Sequence, residues 1–191
     1  MLGVLRPDLE VTLLDSSSRR IRFLEEALDS LGSFDPEIRA RVSTAWGRAE
    51  ELAEARIGGA ADAVVARSFG PPAVVAECAR RFVRAGGRLV VSEPPESSES
   101  RWPTEALDEL GWSAADRRGF GVRFAVISAV GECPDRVPRR PGVPERRPSS
   151  DPGRRGVPRG TPACLGGSGE VTTAMFHVEQ RDPAHGLVAK A

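Results

Sequence analysis

The sequence predicts an α/β layer structure built on a mainly parallel sheet. Short apolar, β-branched segments alternate along the chain with segments whose apolar residues recur at helical spacing. Serine and proline stand where the helices should start, and glycine where they should stop.

Leu9 to Asp15, LEVTLLD, alternates and then runs apolar, which marks a buried strand. Ser16, Ser17 and Ser18 then offer caps to a helix in which Ile21, Leu24, Leu28 and Leu31 form one stripe, with Gly32 as its stop. Arg41 to Trp46 is a second strand, and the acidic, alanine-rich Arg48 to Ala55 a short helix. Ala61 to Ala66, ADAVVA, reads as a central strand. Pro71 and Pro72 suit the start of a helix striped by Val74, Val75, Cys78, Ala79 and Phe82. Gly86 and Gly87 turn the chain into a strand at Arg88 to Ser92. A helix fits Thr104 to Leu110, and Val122 to Val130, VRFAVISAV, is the longest strand candidate. Between Gly131 and Gly169, 16 of 39 residues are Gly or Pro, so regular structure should be interrupted there.

A chain of 191 residues suits one domain, alone or with a tail. Its 27 basic and 27 acidic residues cancel, which removes any whole-chain electrostatic argument for nucleic acid or membrane. No apolar run approaches the roughly 20 residues of a membrane helix, and no signal-peptide pattern opens the sequence. A cytoplasmic protein without membrane contact is the expectation. Cys78, Cys133 and Cys164 are widely spaced and only two histidines are present, a poor basis for a disulfide framework or a metal site. GxSxG, HExxH and GxxxxGK[ST] are all missing, which speaks against hydrolase and P-loop chemistry.

Open parallel sheets bind ligands beyond the carboxyl ends of their strands. Asp15 closes the first strand with a carboxylate suited to a ribose diol or, equally, to capping the helix that begins near Ser17. Gly47, Arg48, Ala49 and Glu50 follow the second strand. They could meet an adenine edge, or simply begin a helix with favourable acidic residues. Arg67 follows the third strand, where its planar cation could grip a carboxylate or phosphate, or pair with Asp62 or Glu93.

Four motifs in fixed order, LLDSSSRRIRFLEE (13–26), GRAEELA (47–53), ARSFGPPAVVAECA (66–79) and PRRPGVPERRP (138–148), resemble the bacterial glucose-inhibited division protein B family of 16S ribosomal RNA guanine-N7 methyltransferases. The resemblance implies a Rossmann-like, S-adenosylmethionine-dependent methyltransferase fold and a 16S RNA or small-subunit partner, with no metal. It places Asp15 at the cofactor ribose, Ala49 and Glu50 by the adenine, and Arg67 in the cofactor site. From Arg136 to Arg159 eight arginines face only Glu145 and Asp151. Of these, Arg136, Arg139 and Arg140 are expected to contact RNA, and Arg154, Arg155 and Arg159 to be solvated. Trp46, Trp102 and Trp112 could stack on bases, but core or surface packing is the expectation for each.

Family members also carry a first strand followed by a GxGxGxPG loop, and neither is found in this sequence. Residues 1–148 are therefore expected to form a partial, monomeric methyltransferase domain whose sheet lacks its central strand and exposes its neighbours' ladder groups. Weak activity should follow. Residues 149–191 are expected to be a disordered tail, with Val171 to Val178 as an isolated exception. The alternative is a non-catalytic half-Rossmann remnant with an arginine-rich RNA-binding segment. Nicotinamide-dependent reduction is disfavoured, because it too needs a GxGxxG loop.

Overall fold

The computed structural model describes residues 2–55, 59–67, 69–94, 101–119, 121–140, 142–146 and 174–180, the last as backbone. The elements in chain order are α1 (Leu2–Leu5), β1 (Leu9–Asp15), α2 (Ser18–Gly32), α3 (Pro36–Arg41), β2 (Val42–Trp46), α4 (Ala49–Ala55) and β3 (Ala61–Arg67). There follow α5 (Pro72–Arg80), β4 (Val83–Glu93), α6 (Thr104–Asp108), β5 (Asp116–Arg118), β6 (Arg123–Ser128), α7 (Val143–Arg146) and β7 (Ala174–Gln180).

Local chemistry accounts for the helix starts. Ser17 caps α2 by accepting a hydrogen bond from Arg20 N at 3.4 Å. Asp35 caps α3 by accepting from Glu37 N at 3.1 Å, with Pro36 pre-set for the first turn. Of the stripe expected on α2, Ile21 and Leu28 are buried, Leu24 is half-buried and Leu31 is exposed. The strand expected at Arg88–Ser92 is longer, because β4 begins at Val83 and passes through the glycine pair. Gly86 has φ +74°, and a Cβ on Gly87 would lie 2.9 Å from Asp62 O, so the chain can pass β3 at this point only without a side chain.

The strands form one seven-stranded sheet in the order β2-β1-β7-β3-β4-β6-β5. Strands β1 to β4 share a direction with β5, whereas β6 and β7 run against them. The α/β, mainly parallel fold read from the sequence is thus the fold observed. From the middle, the chain winds outward through β1 and β2 on one side and through β3 and β4 on the other. The strand order reverses at β7, the switch point of a doubly wound sheet.

Strand β7 corrects two expectations. Residues 174–180 belong to the stretch expected to be disordered apart from an isolated element, yet they form the central strand and pair on both sides, Leu13 with Phe176 and Val65 with Phe176. Ladder groups of β1 and β3, expected to be exposed, are therefore paired. The physical reason is that each strand turns a row of N–H and C=O groups toward the same slot, and an alternating segment with β-branched and aromatic residues satisfies both rows. Residues 147–173 and 181–191, with Arg154, Arg155 and Arg159, lie outside the described residues.

Two cores flank the sheet. On one face Val64, Ala66, Leu89, Ala125 and Ile127 pack with Val74, Val75, Phe82, Leu107 and Trp112. On the other, Leu9, Val11 and Val42 pack with Leu28 and Ile38.

Candidate functional site

Because β1 to β4 are parallel, Asp15, Trp46, Arg67 and Glu93 all close their strands at one edge of the sheet. Strand β7 begins at that edge too, with Ala174 opposite Arg67. Strands lie about 4.8 Å apart, so β1 and β3 stand roughly 10 Å apart across it.

Asp15 is 3% exposed. Its Oδ1 accepts from Ser17 N at 2.7 Å and its Oδ2 from Arg20 Nε at 2.6 Å. Ser17 rather than Asp15 is the cap of α2; Asp15 closes the turn that precedes it and pairs with Arg20. Each carboxylate oxygen still has a second acceptor position, which keeps the carboxylate able to receive a diol. Across the ladder, Asp15 faces Trp46, and Gly47 N donates to Asp15 O at 3.1 Å. Of core and surface packing, Trp46 takes the surface: it is 66% exposed and is held by a hydrogen bond from Nε1 to Ser16 O at 3.2 Å. Trp102 and Trp112 are buried, as expected.

Ala49 and Glu50 are buried at the first turn of α4. Glu50 Oε1 accepts from Gly142 N at 3.1 Å and meets Arg48 NH2 at 3.5 Å. It latches the GRAEELA motif to the proline-spaced one, 92 residues later. Gly47, at φ +152°, makes the bend between β2 and α4.

Arg67 is exposed and has no ion pair among the described residues. The pairing alternatives for it are taken up elsewhere. Asp62 binds Arg84 at 2.5 Å, and Glu93 accepts from Trp102 Nε1 at 2.7 Å with Arg117 at 3.5 Å and Arg101 at 3.8 Å. Glu93 was legible in sequence only as a counter-ion, although it ends a strand at the same edge as the other candidates. It lines a cavity of about 320 Å3 together with Arg67, Phe69, Pro72, Arg101 and Trp102. A larger groove of about 590 Å3 opens on the α2 side of the sheet, floored by Val11, Val65 and Phe124.

The arginines expected on RNA separate. Arg136 and Arg140 are exposed. Arg139 instead clamps the fully buried Glu77 with Nε at 2.8 Å and NH2 at 2.7 Å, and its backbone N donates to the same carboxylate. These bonds raise the pKa of the Arg139 guanidinium above its ordinary value. Its role in the structure is to neutralise a buried charge of α5, an interaction that a reading of local charge density does not reveal. Arg80 is also buried, beneath Trp112 at 5.1 Å from the ring centroid, and donates to the carbonyls of Val83, Leu110 and Gly131. Burial lowers its pKa. No cluster of metal-ligating side chains occurs among the described residues.

The sequence pattern of the rRNA small subunit methyltransferase G (GidB) family matches residues 1–99. The chain is similar to the ribosomal RNA small subunit methyltransferase G of Moorella thermoacetica, at 31% identity over 157 residues, 78% of this chain and 63% of the relative. Similarity to the protein of that name from Deinococcus deserti is also 31%, over 77% of this chain and 62% of the relative. The chain thus spans somewhat less than two thirds of the length of these relatives. Among solved structures, the antibiotic-resistance methyltransferase Kmr aligns with 61% of this chain and 73% of its own, at 20% identity and a TM-score of 0.47.

Proposed function

Because the chain belongs to the rRNA small subunit methyltransferase G family, we propose that it transfers a methyl group from S-adenosylmethionine to N7 of a guanine in 16S ribosomal RNA. The observation that carries this reading is the common edge at which Asp15, Ala49, Glu50 and Arg67 stand, all within the matched residues, at the switch point of a doubly wound sheet.

The residues fit one end of the cofactor by their donor chemistry. Asp15 keeps acceptor positions for the ribose hydroxyls, and Glu50 Oε2 has no partner among the described residues, leaving it to receive an adenine amine. Arg67 supplies an unpaired cation across β7 for the cofactor's carboxylate.

When bound, S-adenosylmethionine supplies an electrophilic methyl on a sulfonium, so guanine N7 can form the N–C bond with its own lone pair while the C–S pair returns to sulfur. No general base is needed, and positioning is what the chain contributes. Arg136 and Arg140 would hold RNA phosphates. The protein acts as a cytoplasmic monomer on the small ribosomal subunit. No helix among the described residues is long and apolar enough to cross a membrane.

The test is transfer of labelled methyl to small subunits lacking the modification, with chain cleavage at N7-methylguanine to locate it. Incorporation at one guanine supports the reading. Calorimetric binding of neither S-adenosylmethionine nor its demethylated product, together with no incorporation, would establish the non-catalytic alternative.

A further inference from the structure

Glu93 ends β4 with a side chain only 1% exposed, and its carboxylate is a hub already occupied by the protein's own cations. Trp102 Nε1 donates to it at 2.7 Å, and the guanidiniums of Arg117 and Arg101 stand at 3.5 and 3.8 Å. Strand β6 enters the sheet where β4 leaves it, so Arg123 is opposite Glu93 in the ladder, and directly opposed residues share a face. Arg123 is exposed, and the Arg101 side chain is 31% exposed. Three guanidiniums thus gather at the end of β4 about one carboxylate, which can balance only one of them. Among the described residues Arg101 pairs with no other acid and Arg123 with none. The surplus is positive charge.

Position on the sheet says which anion suits this cluster. The residues assigned to the cofactor run from α4 through Asp15 to Arg67 at the end of β3. Strands β4 and β6 come next, so the cluster lies one to two strands past the last of them, at roughly 5–10 Å. An anion held there would be a neighbour of the methyl donor and not a part of it. The arginines already expected on RNA do not serve this place. Arg81, which precedes β4, donates to the carbonyls of Asp135 and Val137 at 3.1 and 2.8 Å, and so ties Arg136 to the opposite edge of the sheet. The length of β3, about 20 Å, separates that edge from Arg67. A phosphate on Arg136 therefore leaves the reacting base without a local hold.

We propose that the cluster on Glu93 binds the phosphates of the RNA segment that carries the reacting guanine, with Arg101 and Arg123 as ligands and Arg117 held beside them. This rests on the RNA-methylation reading above and names how the same site holds its substrate. Glu93 acts as a positioning residue. By holding guanidiniums at the edge before RNA arrives, it reduces the side-chain freedom lost on binding.

The experiment is fluorescence anisotropy of the full chain with a labelled RNA hairpin bearing an unpaired loop guanine, repeated over a range of salt concentrations. Arg101→Ala and Arg123→Ala should each flatten the slope of log affinity against log salt by about 0.7, the value for one phosphate of a single strand. The double variant should lose about 1.4 in slope and about tenfold in affinity at moderate salt. Arg123→Lys should keep the wild-type slope, because counterion release needs only the charge. Arg88→Ala removes the same charge from an exposed residue of β4 about 15 Å along the strand from Glu93, and should leave the slope alone. Unchanged slopes in Arg101→Ala and Arg123→Ala, or equal flattening by Arg88→Ala, overturn the proposal. Weaker calorimetric binding of S-adenosylmethionine by the double variant does so too, since the cluster would then belong to the cofactor. Transfer of labelled methyl is scored separately. Incorporation by the double variant with the wild-type KM for RNA would sink this inference and leave the enzymatic reading intact. The expected slopes without incorporation by the wild type would do the reverse.

Discussion

The two halves of the sheet are built on different terms. On one side β3, β4, β6 and β5 share a continuous core with α5 and α6, in which Trp112, Phe82, Leu89 and Ile127 are fully buried. On the other, β1 and β2 rest chiefly on a small cluster of Leu9, Val11, Leu28, Ile38 and Val42, with only Leu14 of β1 and Ala49 and Ala53 of α4 reaching the larger core. Strand β7 lies between them, and the ladders of β1 and β3 both run to it rather than to each other. Asp15, Trp46 and Glu50 come from the smaller half and the loop that follows it, Arg67 and Glu93 from the larger. Their alignment is therefore a property of a strand encoded more than 100 residues after Arg67.

Removing β7 should break this arrangement most severely. A chain ending at residue 173 loses two full ladders, each backbone bond contributing on the order of 1 kcal/mol net, against the ordering entropy of seven residues. The expected cost is about 4 kcal/mol, or about 10 °C in Tm. Hydrogen exchange should show where the loss falls. Amides of β1 and β2 should lose protection while those of β4 and β6 largely keep it. A shortened chain with unaltered melting and protection would mean that the halves are joined by something other than β7.

Within the larger half, the next effect comes from Arg139→Ala. It leaves the Glu77 carboxylate, 0% exposed, without the guanidinium that neutralises it, which should cost about 3 kcal/mol. Replacing both members, Glu77→Leu with Arg139→Met, should recover most of that, because an apolar pair needs no compensation. Denaturant unfolding of the two single variants and the double variant measures both. A double variant no more stable than Arg139→Ala would show that the loss is one of packing.

Across the site itself, Asp15→Ala and Arg67→Ala should each weaken S-adenosylmethionine binding by about tenfold, or about 1.4 kcal/mol. The halves should respond differently in stability. Asp15→Ala also removes the acceptor of Ser17 N and the partner of Arg20, so its Tm should fall, whereas Arg67→Ala breaks no described ion pair and should melt as the wild type does. Trp46 is the exposed tryptophan of the three. Quenching of its emission by the ligand, abolished in Trp46→Phe, gives the affinity directly. Equal Tm losses in both variants would contradict the assignment of Arg67 as a ligand-facing cation.

What was legible in the sequence is what local patterns control. The LEVTLLD strand and its serine-capped helix, the double-proline start of α5, and β6 all announce themselves by periodicity and end signals, and the structure has them within a few residues. The Asp35–Pro36 start of α3 was equally available, but its helix has only six residues and too little periodicity to stand out. Strand β7 was visible as a strand-like segment. Its partners were not, because pairing across more than 100 residues leaves no local trace and an alternating segment fits an edge as well as a centre. The site divides in the same way. Strand-end residues Asp15 and Arg67 were found from position alone. Glu77, by contrast, hides in an apolar stripe, and nothing near it in sequence says that Arg139 must pair with it.

The smallest expected effect separates the surface arginines from the buried one. Arg136 and Arg140 are exposed in the proline-rich segment after β6, with no ion pair among the described residues, so either guanidinium is available to a phosphate. Each phosphate contact releases about one counterion, so losing one should flatten the salt dependence of RNA binding by up to about one unit of slope. The affinity cost at moderate salt should be only about 0.5–1 kcal/mol. Cofactor affinity and Tm should not move in Arg136→Ala or Arg140→Ala. Arg139→Ala should behave in the opposite way, lowering Tm while leaving the slope near the wild-type value at temperatures where the chain remains folded. Binding isotherms over a range of salt concentrations, read beside melting curves for all three variants, make the comparison. If Arg139→Ala flattened the slope without lowering Tm, Glu77 would not hold that guanidinium in solution. The arginine would then belong with its two neighbours on the RNA.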